Sequence, residues 1–133
     1  HSPPRPLDNA SYTMEALLTD KPIEIGGNVL NNGLISNLPP EACVEVPCLV
    51  NRNGVQGCAV GDLPPQCAAL NMTHINVHNL VIEAAMAKSR SLVYQAAMLD
   101  PHTRSELTLD EIKSMCDDLF EAHVRDGVML EYK

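Results

Sequence analysis

Two kinds of side chain in this 133-residue sequence invite a chemical reading. Glu41 and Glu45 lie close enough to suggest a carboxylate pair for acid–base work. Glu45, however, alternates with Val44 and Val46, so a strand there turns it away from their face and toward solvent. His74 and His78 stand four apart, a spacing at which one helix face can chelate a metal. The metalloprotease pattern would put Glu second, where Ile75 stands, and the sequence offers no third ligand. These histidines read as structural. His102 follows Asp100–Pro101 in a turn and has no local partner.

Other chemistries lack their equipment. There is no GxSxG, and no Ser or Cys has a base nearby in sequence. Gly26–Gly27 and Gly33 do not form a GxGxxG ahead of a helix, and no Walker loop occurs. The five cysteines (43, 48, 58, 67 and 116) include no CxxC. Cys43 and Cys48 have opposite parity on one strand, so they do not converge on a zinc ion. They read as buried, reduced thiols of a cytoplasmic protein. What remains are the amides Asn32 and Asn37 beside Pro39. They make turns, and as combined donors and acceptors they suit a hydroxyl-rich ligand at a substrate-side loop. No residue is assigned a catalytic, metal-binding or cofactor-binding role.

The stretch that must position these groups is Asn31–Asp62. Asn32–Gly33 and Asn53–Gly54 are both Asn-Gly pairs, the strongest short hairpin signal. Between them Ala42–Asn51 predicts a strand with Val44, Val46, Cys48 and Val50 on one face. Pro47 lacks an N–H, so the strand is an edge or its ladder breaks there. Val55–Val60 predicts an antiparallel return, and Pro22–Gly26 an earlier strand ended by Gly26–Gly27.

Helices surround this unit. His1–Asp8, with three prolines, reads as an extended lead-in. Asn9–Thr19 predicts a helix end capped by Asn9, with Met14, Leu17 and Leu18 as its stripe. Asp62–Lys88 predicts a long helix, capped by Asp62 with Pro64 and Pro65 in its first turn. Its polar middle, Asn71–Asn76, invites a kink. Its second half is apolar on more than one face, through Val77, Val81 and Ala85 and through Leu80, Ile82 and Met86. Ser89 caps Arg90–Leu99, which Asp100–Pro101 ends. Thr108–Val124 opens with a capping box (Thr108, Glu111) and a staple (Leu107, Ile112). Its stripe holds Leu109, Ile112, Met115, Cys116, Leu119, Phe120 and His123, and Val128–Lys133 is a tail. The fold class is α+β: a small antiparallel sheet packed with helices.

Composition bounds the partners. The length allows one domain or less. A formal charge of −8 argues against a nucleic-acid or anionic-membrane partner. No run approaches the length of a membrane-spanning helix, and no signal peptide is visible. With no Trp and one Phe, the core falls to aliphatic residues and leans on a neighbour. The first residue is His, so the chain is expected to be part of a longer polypeptide.

The run NNGLISNLPPEACVEVPCLVNRNGVQGCAVGDLPPQCAALN, continued by INVHNLVIEAAMAKSRSLVYQAAMLDPHT, resembles the C-terminal part of glycoside hydrolase family 4, most closely its α-galactosidases. The resemblance covers residues 22–125. Near Tyr12 the family often has Glu-Tyr where this sequence has Ser11–Tyr12, so no role is carried onto Tyr12. The resemblance implies an arrangement like the C-terminal domain of lactate dehydrogenase, following an NAD-binding domain that lies outside this sequence. It further implies redox–elimination chemistry with NAD⁺ and Mn²⁺. Oxidation at C3 acidifies the C2 proton, a tyrosine removes that proton while the metal stabilises the enediolate, and the glycosidic bond is eliminated. Such enzymes stand outside the two-carboxylate rule. The implied catalytic Tyr, metal ligands and nucleotide fingerprint lie upstream of this chain, which would supply scaffold, substrate-side loop and subunit contacts in a homo-oligomer. The alternative is a noncatalytic assembly domain, or the matching domain of a related dehydrogenase.

Overall fold

The computed structural model describes residues 9–133. The proline-rich lead-in and the side chain of Asn9 lie outside the described residues. The chain divides into two compact units, the first running to Pro64 and the second spanning Pro65–Lys133.

The first unit is a three-stranded antiparallel sheet with one helix. Helix α1 (Asn9–Thr19) precedes β1 (Ile23–Leu30), β2 (Cys43–Asn51) and β3 (Gly54–Gly57), in sheet order β1-β2-β3. Burial alternates strictly along β2: Val44, Val46, Cys48 and Val50 are inside, and Cys43, Glu45, Pro47 and Leu49 outside. The order β1-β2-β3 puts β2 at the centre of the sheet, so it is not an edge strand. Pro47 sits instead where the ladder to β3 breaks. Its carbonyl accepts the Cys58 N–H at 2.8 Å, just past the end of β3. A strand residue's N and C=O point the same way, so the missing N–H falls where no partner strand needs it.

Several boundaries differ from the sequence expectation. β1 runs through Gly26–Gly27 to Leu30, pairing Ile23 with Val50 and Leu30 with Cys43. Gly27 serves close packing there, since a Cβ would meet Cys48 Sγ at 2.8 Å. The return strand stops at Gly57, well short of Val60. A Cβ on Gly57 would lie 2.6 Å from Leu34 Cδ1, so the glycine lets the preceding loop fold onto the sheet. The β2–β3 turn centres on Arg52 and Asn53, because Asn51 pairs with Gly54. The positive φ falls on Gly54 at 104°, one residue later than an Asn-Gly I′ turn requires. Asn32–Gly33 makes no hairpin; it turns the chain inside the long connection from Leu30 to Cys43. In α1 the buried residue is Ala16, while Met14, Leu17 and Leu18 are exposed.

The second unit is helical. Helix α2 (Pro65–Ala87) is one continuous element, so Asn71–Asn76 does not break it. It begins at Pro65, a position that needs no N–H. Helices α3 (Arg90–Leu99), α4 (Thr103–Glu106) and α5 (Leu109–Arg125) follow. Ser89 caps α3 by accepting the Leu92 N–H. The Asp100 carboxylate ends it by accepting the N–H groups of His102 and Thr103, both at 2.9 Å. Those bonds, that of Thr103 foremost, hold the Asp100 carboxyl below its ordinary pKa. The Thr108–Glu111 capping box forms as the sequence requires. Of the α5 stripe, Ile112, Cys116 and Phe120 are buried, while Leu109, Leu119 and His123 are exposed.

Three of the chain's four aromatic residues meet in this unit. The Phe120 ring lies 6.0 Å from Tyr94 and 6.1 Å from Tyr132, with the Arg90 guanidinium 4.7 Å above it. Residues 128–133 therefore do not trail away as a tail. Lys133 exchanges backbone hydrogen bonds with Lys88 and Arg90 at 3.0 and 2.8 Å, and Glu131 pairs with Lys88. Beside the cluster, Asp117 accepts from the Tyr94 hydroxyl and from Lys113 Nζ, the latter at 2.6 Å. The Lys113 bond first, then the Tyr94 bond, lowers the Asp117 pKa; the same Asp117 bond raises that of Tyr94.

Two predictions follow from these polar anchors. Asn31 is wholly buried and its amide makes four hydrogen bonds. Asn31→Ala leaves those groups unpaired and should destabilise the chain by about 3 kcal/mol. Asn31→Asp, unable to donate to the same carbonyls, should do at least as much harm. Unchanged urea midpoints in both variants would contradict the assignment. The second prediction concerns pH. A depressed Asp117 contributes stability present above the ordinary carboxylate pKa and lost as pH falls through its folded value. A raised Tyr94 contributes stability present below the ordinary tyrosine pKa and lost as pH rises through its folded value. Tyr94→Phe should remove the tyrosine's share of the alkaline loss, leaving that of Lys113, whose pKa the same carboxylate raises. It should also make the acid loss smaller, because Asp117 then keeps only its Lys113 bond. Denaturation midpoints across pH that superimpose on those of the parent sequence would refute this.

Candidate functional site

The candidate site is the connection from Asn31 to Ala42 with the strand-like return that precedes α2. Its frame is local and polar. The Asn31 side-chain N–H₂ donates to the carbonyls of Ile35, Leu38 and Pro39 at 2.9, 3.0 and 3.0 Å, and its Oδ1 accepts the Ile35 N–H at 2.7 Å. The Asn31 N–H donates to Ala42 O and the Asn32 N–H to Pro40 O, drawing the loop's two ends together. Ile35, Leu38 and Ala42 turn inward and are buried. A buried amide with every group paired can fix a loop, because any other conformation strands its donors.

The return segment ties on from the other side. Leu34 O accepts from Val60 N at 2.7 Å and Gly61 N at 3.2 Å, and Ile35 makes a parallel bridge with Gly61. Ser36 Oγ donates to Asp62 Oδ1 at 2.5 Å. Asp62 is thus a loop acceptor and not the N-cap of α2. Asn37 grips the Leu63 backbone twice, donating to its carbonyl at 2.8 Å and accepting its N–H at 2.9 Å.

Against this geometry the sequence candidates separate. Asn37 is committed to holding the chain. Asn32 is exposed, has φ 42°, and its side chain makes no hydrogen bond among the described residues. Glu41 and Glu45 are both exposed and are not gathered with a third group. Glu45 Oε1 lies 3.1 Å from where a Gly26 Cβ would stand, over the open face of the sheet. His74 and His78 are exposed on α2, and among the described residues no three His, Cys, Asp or Glu side chains gather for a metal. His102 is exposed; its backbone N–H donates to Asp100, and its carbonyl accepts from the Ser105 N–H and hydroxyl.

The cysteines correct the expectation of uniform burial. Cys48 and Cys116 are buried, but Cys43, Cys58 and Cys67 are exposed, and all five are free. Burial raises the Cys116 pKa, which makes it a poor nucleophile. The second unit adds an apolar groove of ≈ 400 Å³ lined by Val77, Val81, Ala84, Val93, Ala96 and Met129 among others. No helix among the described residues is long and apolar enough to cross a membrane.

Asn31 is the residue that sequence reasoning passed over in favour of its neighbour Asn32. Both are asparagines in one turn-forming run, and no spacing rule tells the buried one from the exposed one. The one available signal is its position directly after the inward–outward alternation of β1. Tyr94 was missed for a similar reason: Lys113 and Asp117 show an i,i+4 pairing, but the phenol joining them comes from another helix.

Comparison with known proteins gives this frame a family. The model of the family 4 glycosyl hydrolase C-terminal domain matches residues 3–103. The chain is 53% identical over 119 residues to an alpha-galactosidase from Bacillus subtilis (strain 168), covering 90% of this chain and 28% of that protein. Among solved structures, a 6-phospho-alpha-glucosidase from gut microorganisms, in complex with NAD and glucose-6-phosphate, is 29% identical. It superposes with a TM-score of 0.74 over 84% of this chain and 25% of its own. A 6-phospho-beta glucosidase from Thermotoga maritima, solved with manganese, NAD+ and glucose-6-phosphate, is 25% identical, with a TM-score of 0.77 over 87% of this chain and 29% of its own. The chain spans about a quarter of the length of the curated relatives it matches. With the C-terminal domain model matched over residues 3–103 and more than half of 119 aligned positions shared with one member, this chain belongs to glycosyl hydrolase family 4.

Proposed function

We propose that this chain is the C-terminal domain of an α-galactosidase whose chemistry uses NAD and a divalent metal such as manganese. The observation that carries the reading is the 53% identity to the Bacillus subtilis alpha-galactosidase. The cofactors are those bound in the solved relatives, NAD in both and manganese in one. Neither group fits the described residues of this chain. Among the described residues no three ligating side chains gather, and Gly26–Gly27 lie inside β1 and not in a loop opening a helix. In this reading both groups are held by the rest of the parent protein, N-terminal to this chain, and no step is assigned to residues here. Five free cysteines, three of them exposed, suit the reducing cytoplasm.

What this chain contributes is a rigid loop at the substrate side. Asn32 offers the loop's free amide to sugar hydroxyls, while Asn31 and Asn37 hold it from behind. The stretch Asn31–Asp62 has one basic residue, Arg52, against Glu41, Glu45 and Asp62. Arg52 is already occupied by Asp20, which also accepts its backbone N–H. Such a loop suits a neutral sugar better than a phosphorylated one. The solved relative bound to glucose-6-phosphate favours the second reading, a 6-phospho-α-glucosidase.

Subunit contacts are the chain's other contribution. Met86 is 82% exposed and Ile82 61%, with Val81 beside them on α2. An aliphatic surface of this kind fits a homo-oligomer interface.

The intact parent protein should hydrolyse p-nitrophenyl α-galactoside only when NAD⁺ and Mn²⁺ are both present, and the 133-residue chain alone should not. Turnover of a 6-phospho-α-glucoside with none of the galactoside would establish the second reading instead. Asn32→Ala in the parent should lower kcat/KM roughly fivefold to tenfold, the worth of one neutral hydrogen bond. Met86→Glu should shift the parent toward smaller species in sedimentation velocity, because the interface would bury an unpaired charge. A parent that sediments as a monomer with or without that change would dismiss the interface.

A further inference from the structure

The sequence contains two Asn-Gly dipeptides, Asn32–Gly33 and Asn53–Gly54, and the fold treats them differently. Asn-Gly is prone to intramolecular imide formation because glycine has no side chain to shield its backbone nitrogen. Attack requires that nitrogen to be free to deprotonate and the Asn–Gly peptide plane to rotate toward the side-chain amide.

At Asn53–Gly54 neither freedom exists. Gly54 is a ladder residue opposite Asn51. The Asn53 N–H is held by Asn51 Oδ1 at 2.9 Å. The peptide between them is the corner of a tight hairpin, and turning it breaks the β2–β3 pairing. At Asn32–Gly33 the position is the reverse. Gly33 lies in a loop, and its N–H has no hydrogen-bond acceptor among the described residues. Nothing stands within 4 Å of the place a Cβ would occupy at either Gly33 or Gly54, so what separates the two sites is the hydrogen bonding of the glycine peptide and not crowding. Asn32 has φ 42°, and Asn32 and Asn53 are alike in being exposed with no side-chain hydrogen bond among the described residues, so the difference lies in the glycine that follows each. Its neighbours are clamped: the Asn32 N–H is on Pro40 O and Leu34 N–H on Asn31 O. The one unbonded peptide of the turn is thus the reactive one.

We propose that Asn32 is a site of spontaneous deamidation and that Asn53 is protected by the hairpin. The Gly33 nitrogen, having lost its proton, bonds to Asn32 Cγ; the Cγ–Nδ2 bond breaks and nitrogen leaves as ammonia. Water then opens the five-membered imide at either carbonyl, giving aspartate or isoaspartate at position 32. The sum is amide plus water to carboxylic acid plus ammonia, with no oxidant or reductant. Either product puts a carboxylate at the exposed tip of the loop. Isoaspartate also adds a methylene to the backbone between Asn31 and Leu34, whose carbonyl and N–H are bonded to each other. The inference stands on the turn geometry and does not depend on the glycosidase reading.

The test is peptide mapping by mass spectrometry of the whole chain, incubated in mildly alkaline buffer, folded and in urea. In urea both dipeptides should react at similar rates. In the folded chain Asn32 should convert on the order of tenfold faster than Asn53 or more, since the hairpin must open before Asn53 can react. The Asn32 rate should rise with hydroxide concentration, and isoaspartyl methyltransferase should label only the Asn32 peptide. Equal folded rates at the two sites, a faster Asn53, or no conversion at Asn32 would each overturn the proposal.

Discussion

The first unit depends on one buried amide. Asn31 leaves β1 carrying a polar side chain into an interior made of Ile35, Leu38, Ala42 and the valines of β2. A lone amide there would be expensive. It is tolerated because the loop curls round it, spending three carbonyls and one N–H on its two ends. The dependence runs both ways. The loop backbone has no ladder of its own to satisfy those carbonyls, and the amide has no water. Each therefore fixes the other, which is how twelve residues between two strands hold one shape without being a regular element.

That clamp explains the packing around it. With the loop fixed, Leu34 lies over Gly57, where a Cβ would come within 2.6 Å of its Cδ1. The return segment is then close enough for Ser36 to reach Asp62 and for Asn37 to grip Leu63. Polar pins of short reach do the work that large aromatic side chains do elsewhere. The helical unit solves the same shortage differently, gathering three aromatics and an arginine around Phe120 and folding residues 128–133 back to supply Tyr132. Three of the chain's four rings are spent around Phe120, and the aliphatic surface on α2 stays exposed.

For a family 4 domain this division of labour has a functional sense. Redox and metal chemistry need a nucleotide loop and convergent ligands, and the described residues gather no metal-ligating trio. In the proposed reading, a clamped loop would supply what chemistry held elsewhere in the parent needs, a wall that does not move when substrate arrives. Rigid support through backbone bonds also frees the tip residues to vary, and a 6-phospho-alpha-glucosidase and a 6-phospho-beta glucosidase both superpose on this fold.

Local rules determined much of this from sequence. The alternation of β2, the capping box of α5, the Ser89 cap and the stop at Asp100–Pro101 were legible because each depends on neighbours within four residues. The run from NNG to VEVP pointed to the family for the same reason, being a fixed string. Tertiary structure decided the rest. Gly26–Gly27 reads as a stop in isolation, yet β1 passes through it, because a paired strand on its other side makes up for a glycine's weak preference. Pro47 reads as either an edge or a break in the ladder; only the sheet order selects the break, which falls at the end of β3. Which asparagine of Asn31 and Asn32 would be buried depends on carbonyls four to eight residues away converging on one point. Asp62 reads as a helix cap until Ser36, 26 residues distant, competes for it. Spacing carries information about what one helix turn or one strand pleat can reach; partners brought together by chain reversal carry none of it in their local sequence.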